Sequence, residues 1–127
     1  MTGFDISLWD QSLREKRQRN ETLRQKTLSH IDTVLSHLRS RYTWSEIYIF
    51  GSVLREGRFG PKSDVDFAVL GLPKHDLYRL VGELSDALER PVDVVVLEES
   101  RMVGSIKRKG VRWEHGMFSE SVTQWRA

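Results

Sequence analysis

Ser63-Asp64-Val65-Asp66-Phe67-Ala68-Val69-Leu70 is the stretch on which the fold turns. Its apolar, β-branched run predicts a strand from Asp64 to Leu70, closed by Gly71 and Pro73. Side chains alternate across a strand, so Asp64 and Asp66 fall on one face and Val65 and Phe67 on the other. At the usual rise their Cα atoms lie ~6.5–7 Å apart. Asp is a poor strand former, and two carboxylates side by side repel each other. A compensating charge is needed. Carboxylates at that spacing can converge on one divalent cation, or bridge two cations about 3.5–4 Å apart.

Working outward, Glu46-Ile47-Tyr48-Ile49-Phe50 reads as a buried strand that stops at Gly51. Residues 51–63 hold Gly51, Gly57, Gly60 and Pro61 among charged residues, which marks a loop. Downstream, Leu77, Leu80, Val81, Leu84 and Leu88 recur at helical spacing, predicting a helix over Asp76–Leu88. Val92–Leu97 is a third strand with one charged residue, Asp93. A strand, a helix and a strand in succession form a right-handed parallel unit, which sets Asp93 beside Asp64 and Asp66. The loop between the first two strands is too short for a crossover helix, so those strands are expected to be antiparallel. The end of the first, with Gly51-Ser52, then reaches the same edge.

Farther out, no glycine or proline occurs between Gly3 and Gly51, and Leu23, Leu28, Ile31, Val34, Leu35 and Leu38 follow the helical period. One long helix is predicted from about Asp10 to about Ser40, its polar first half projecting from the body. A short helix over Ser100–Lys109 and a short strand over Val111–Trp113 complete the chain. The expected fold is α/β, a small mixed sheet covered by helices. The 127 residues suit one domain: a core of about 28–113, a helical extension of about 5–27 and a tail of about 114–127.

Composition narrows the chemistry. With no cysteine, disulfides, thiolate nucleophiles and cysteine-based metal sites are excluded, which fits a reducing, cytoplasmic setting. No apolar run approaches the ~18 residues of a membrane span, and Met1–Asp10 carries no export pattern. The formal charge of +2 is unevenly spread. Residues 11–42 carry eight Lys/Arg against three Asp/Glu, and residues 43–100 carry six against eleven. The basic segment reads most simply as a solvated helix face, with nucleic acid or an acidic partner as the alternative. The four histidines show no metal-ligand spacing with the Asp cluster. Trp9, Trp44, Trp113 and Trp125 read as core or interface anchors, and Trp9 and Trp125, near the termini, suit a partner surface.

Taken singly, each polar feature has an ordinary reading. Gly51-Ser52 is a turn, Asp64 and Asp66 can pair with Arg55 or Lys62, and Asp93 with Arg90. Their convergence on one edge favours chemistry instead. Gly51 lets a phosphate approach the backbone, Ser52 offers a hydroxyl, and the following turn offers free N–H groups. Magnesium takes one or two carboxylates plus phosphate oxygens, and Arg55, Arg58 and Lys62 can neutralise phosphate charge.

Phe50-Gly51-Ser52, the charged Gly-rich loop, Ser63–Val69 and Val92-Asp93-Val94-Val95 together closely resemble the minimal nucleotidyltransferase domains of the DNA polymerase β-like superfamily. The resemblance covers roughly residues 28–113, and Ile106–Val111 is similar to the closing segment of such domains. It implies that Asp64 and Asp66 bind two magnesium ions. Asp93 joins them or activates the acceptor, and Gly51 and Ser52 hold the triphosphate of ATP, with Arg55 and Lys62, read from the charge of the loop, expected beside it. It further implies an antitoxin that pairs with a HEPN-fold ribonuclease toxin and transfers AMP to a hydroxyl of that partner, such as a tyrosine. The alternatives are an antitoxin that only binds its toxin and a transferase acting on RNA. One departure stands out. Eleven residues separate Ser52 from Asp64, one more than is usual in the family, and Glu56 interrupts the Arg55–Gly57 step.

Overall fold

The structure is a computed structural model and describes residues 6–118. Trp125 and the end of the tail lie outside the described residues, as does the first residue of the N-terminal extension.

The helix α1 runs from Ile6 to Leu38, four residues earlier at its start than the spacing predicts. Its 33 residues span about 50 Å. Residues 6–12 and 14–19 are exposed, so the polar half projects as expected. From Arg24 onward Leu28, Ile31, Val34, Leu35 and Leu38 form one buried stripe. The strand β1 (Glu46–Phe50) follows, then a 3₁₀ turn (Ser52–Leu54), β2 (Val65–Leu70), α2 (Leu77–Leu88), β3 (Val92–Val96), α3 (Val103–Lys109) and β4 (Val111–Arg112).

The end of β3 and the start of α3 differ from expectation for local reasons. Leu97–Glu99 turns as 3₁₀, so β3 ends at Val96. Ser100 accepts the Met102 N–H on its hydroxyl at 3.0 Å, a side-chain turn that delays α3 to Val103.

The four strands lie in the order β3-β2-β1-β4. The β1–β2 pair is antiparallel, with Glu46 opposite Leu70 and Phe50 opposite Asp66. The β2–β3 pair is parallel, with Val65 beside Val92 and Asp66 beside Asp93. The antiparallel pair agrees with the loop-length reading and the parallel pair with the strand–helix–strand succession.

Alternation divides the core in two. Ile47, Ile49, Val65, Phe67 and Val69 face α1 and α2 and pack with Leu28, Ile31, Leu35, Leu80 and Leu84. Tyr48, Ala68 and Leu97 face the other way and meet Ile106 of α3, with Phe50, Leu70 and Val95 at the margin. Burying each such large apolar side chain contributes about 1.5–3 kcal/mol.

One polar group is built into the larger core. Asp32 of α1 is buried. One of its oxygens accepts the Trp113 indole N–H and the Gly116 backbone N–H, each at 2.9 Å. Beside it the Ser36 hydroxyl meets His115 Nδ1 at 2.7 Å. These bonds tie the segment after β4 back onto α1. Asp32→Ala leaves two donors without an acceptor, and a loss of about 1–3 kcal/mol is expected. Urea denaturation measures it; an unchanged midpoint and slope would show that the segment is held by other contacts.

Candidate active site

Phe50, Asp66 and Asp93 stand in one row across β1, β2 and β3. Neighbouring strands are about 4.8 Å apart, and in-register residues share a face. That face is the one carrying Tyr48, Ala68, Val95 and α3. Asp64 is exposed and lies one residue ahead of β2 instead of within it. Val65 opens the ladder by donating to the Pro91 carbonyl at 3.1 Å.

Gly51 closes the end of β1 at φ 84°, a conformation that L side chains seldom adopt. A Cβ placed there would collide with Oδ2 of Asp66. The backbone of the Gly-Ser turn and the carboxylate of β2 are therefore in direct apposition. Past Gly51 the chain makes its 3₁₀ turn, with Leu54 N–H on the Gly51 carbonyl (3.1 Å) and Arg55 N–H on the Ser52 carbonyl (3.0 Å). Val53 and Leu54 are buried and anchor the turn, while Ser52 stays half-exposed.

The loop that follows is fastened at its far end. Phe59 is buried, and the Arg90 guanidinium lies 4.6 Å from its ring centroid. The same guanidinium donates to the carbonyls of Ser63 (2.7 Å) and Gly60 (3.4 Å). Gly60 and Ser63 close on each other through two further bonds. Arg90 thus fixes the residue immediately before Asp64 and does not pair with Asp93. No ion pair among the described residues includes Asp64, Asp66 or Asp93, nor does Arg55 or Lys62 enter one.

The electrostatics follow from this arrangement. Burial pushes the Asp66 carboxyl above its ordinary range, and the charges of Asp93 and Asp64 push it further. Burial also draws Arg90 below its usual value, against the pull of Asp64. Three carboxylates of one sign, none of them in an ion pair among the described residues, are oxygen donors of the kind a divalent cation takes. Among the described residues no group of three or more histidine, cysteine or acidic side chains is gathered tightly enough to hold a metal by itself. A cation bound here needs oxygens from elsewhere, and magnesium takes them readily from phosphate.

Space for such a ligand adjoins the turn. A cleft of about 490 Å³ is lined by Phe50, Gly51, Leu54 and Arg55 on the sheet side and by Met102, Ser105, Ile106, Arg108 and Lys109 on the α3 side. Pockets of this size accommodate small ligands. Arg55 lines the cleft beside Gly51 and Leu54; Lys62 is exposed and not among the lining residues. Arg108 and Lys109 were not singled out from sequence. Basic residues in a last helical turn ordinarily serve the helix dipole, and only the packing of α3 over β1 turns them toward a cleft.

Residues 32–112 match the sequence model of the polymerase beta nucleotidyltransferase family. No curated protein matches the chain. Eight chains of solved structures do. A toxin–antitoxin crystallised with AMP-PNP is 25% identical with a TM-score of 0.55, over 73% of this chain and 84% of that one. A mutant of the toxin–antitoxin MntA-HpeT is 25% identical with a TM-score of 0.50, over 74% of this chain and 78% of that one.

The raised carboxyl of Asp66 has a thermodynamic consequence. Its folded state favours the proton, so the associated stability is full below the unfolded carboxylate range and is lost as pH rises through the folded value. Asp66→Asn is therefore expected to melt higher than the native chain at neutral pH. The gap should close as pH falls below the carboxylate range. Calorimetric melting across that interval measures it, and a lower-melting variant at neutral pH would show that Asp66 is stabilised by its surroundings.

Proposed function

The chain belongs to the polymerase beta nucleotidyltransferase family, and on that premise we propose that it is a magnesium-dependent adenylyltransferase, the antitoxin of a HEPN-fold toxin to whose hydroxyl it transfers AMP from ATP. The observation that carries this reading is the apposition of Gly51 to Asp66 within a three-strand row that ends on Asp93. The solved structures of similar fold lend support, because one is a toxin–antitoxin with an ATP analogue.

In this reading Asp64 and Asp66, with Asp93, are the residues that would hold two magnesium ions, which when bound would supply Lewis-acid polarisation of the α-phosphate and a lower pKa for the acceptor hydroxyl. The chain's own residues do the rest. Gly51 lets the Asp66 carboxylate lie against the backbone of the turn, and Ser52 donates its hydroxyl to the β- and γ-phosphates. Arg55, Arg108 and Lys109 neutralise the charge that collects on pyrophosphate as it leaves, with Lys62 farther out. Asp93, exposed at the margin of the row, accepts the proton of the incoming hydroxyl. The hydroxyl oxygen bonds to the α-phosphorus, the bond to the bridging oxygen breaks, and pyrophosphate departs.

The test is incubation of the chain with labelled ATP, magnesium and its cognate toxin. Label is expected on a toxin hydroxyl. A tight complex without label would reduce the protein to a binding antitoxin, and label on added RNA would redirect it to nucleic acid, a reading that the basic exposed half of α1 keeps in play.

Variants separate the roles. The double change Asp64→Asn with Asp66→Asn is expected to abolish magnesium-dependent ATP binding in calorimetry; undiminished affinity would place the metal elsewhere. Asp93→Asn is expected to keep most of that affinity while losing transfer by on the order of 10²-fold or more. Normal transfer with a lowered melting temperature would make Asp93 structural.

A further inference from the structure

Arg24 lies on α1, outside the residues 32–112 that match the family, yet it reaches the turn beside the cleft. Its side chain is only 8% exposed. Nε and Nη2 grip the two oxygens of Glu21 at 2.9 and 2.8 Å, and Nη1 donates to the Val53 carbonyl at 3.1 Å. Val53 is the middle residue of the 3₁₀ turn that begins at Ser52.

The carbonyls of Gly51, Ser52 and Val53 are each engaged. Leu54 and Arg55 N–H groups take those of Gly51 and Ser52, and Arg24 takes the third. A guanidinium is an expensive group to bury, and an apolar side chain would fill the same volume at lower cost. This one is compensated on both sides. Glu21 is itself held below the ordinary carboxylate range, chiefly by its bonds from Arg24, and Gln25 supports it from the next helical turn at 2.9 Å.

We propose that Arg24 is a positioning residue for the triphosphate. By drawing the Val53 carbonyl inward it fixes the orientation of the Ser52–Leu54 turn toward the cleft, while Glu21 balances its charge and holds its guanidinium in place. The long N-terminal helix is then part of the nucleotide site as well as of the core. This rests on the reading of Gly51-Ser52 as the phosphate cradle.

A residue that merely fastens α1 would affect every ligand alike, whereas one that sets the phosphate turn discriminates by phosphate count. Calorimetric titration of ATP and of AMP, each with magnesium, into the native chain, Arg24→Met and Arg24→Lys separates the two. Arg24→Met is expected to weaken ATP about tenfold or more while AMP changes by less than about twofold. Arg24→Lys, which keeps the charge and one donor, should fall between. Equal losses for both nucleotides, or an unchanged ATP affinity, would overturn the assignment. Should Arg24→Met not fold, Glu21→Gln keeps the Arg24–Val53 bond but slackens its support, and a smaller ATP-selective loss is expected. A native chain that binds neither nucleotide would sink the proposed function together with this inference; a native chain that binds, beside variants that bind equally well, would sink this inference alone.

Discussion

Everything in the candidate site depends on the close approach of the Gly51 backbone to the Asp66 carboxylate. Only a residue without Cβ can stand there, since any side chain would occupy the position of Oδ2. The approach in turn requires Phe50 to face Asp66 across β1 and β2. A slip of one residue would carry the carboxylate to the face packed by α1 and α2. The apolar residues Val65, Phe67 and Val69, all fully buried on that face, hold the register. Packing energy on one side of the sheet thus enforces the geometry of the other.

Both ends of the intervening loop are then fixed by arginines from outside it. Arg24 of α1 holds the turn that follows Gly51, and Arg90 holds the turn that precedes Asp64. Each donates to backbone carbonyls, so neither depends on the side chains that the loop presents. The loop's length is thus spanned between two fixed points, where a change of one residue costs little entropy.

Charge at the site is divided by position. The carboxylates lie along the strand row and the cations, Arg55, Arg108 and Lys109, along the cleft. No ion pair among the described residues joins the two sets. Such separation leaves the carboxylates to repel one another, which adds to the burial that pushes the Asp66 carboxyl upward. On the proposed function, a ligand carrying its own metal cations and phosphate anions would answer both sets at once.

From sequence alone, the strands, their orientations and the row of acidic residues could be read, because they rest on local regularities. Period two set the faces of β2, the helical period set α1 and α2, and loop length chose antiparallel over parallel pairing. Gly51-Ser52, Asp64, Asp66 and Asp93 were legible for the same reason: each sits at a fixed offset from the end of a strand. Tertiary structure decided the rest. It left Asp64 ahead of β2, made Asp66 the most enclosed of the three carboxylates, and gave Arg90 to carbonyls instead of to Asp93. It also brought Arg24 to the Val53 carbonyl, 29 residues away along the chain, and turned Arg108 and Lys109 toward the cleft. Long charged side chains follow no periodicity. Where such a side chain ends is set by which elements pack beside it, and that is decided only when the helices close on the sheet.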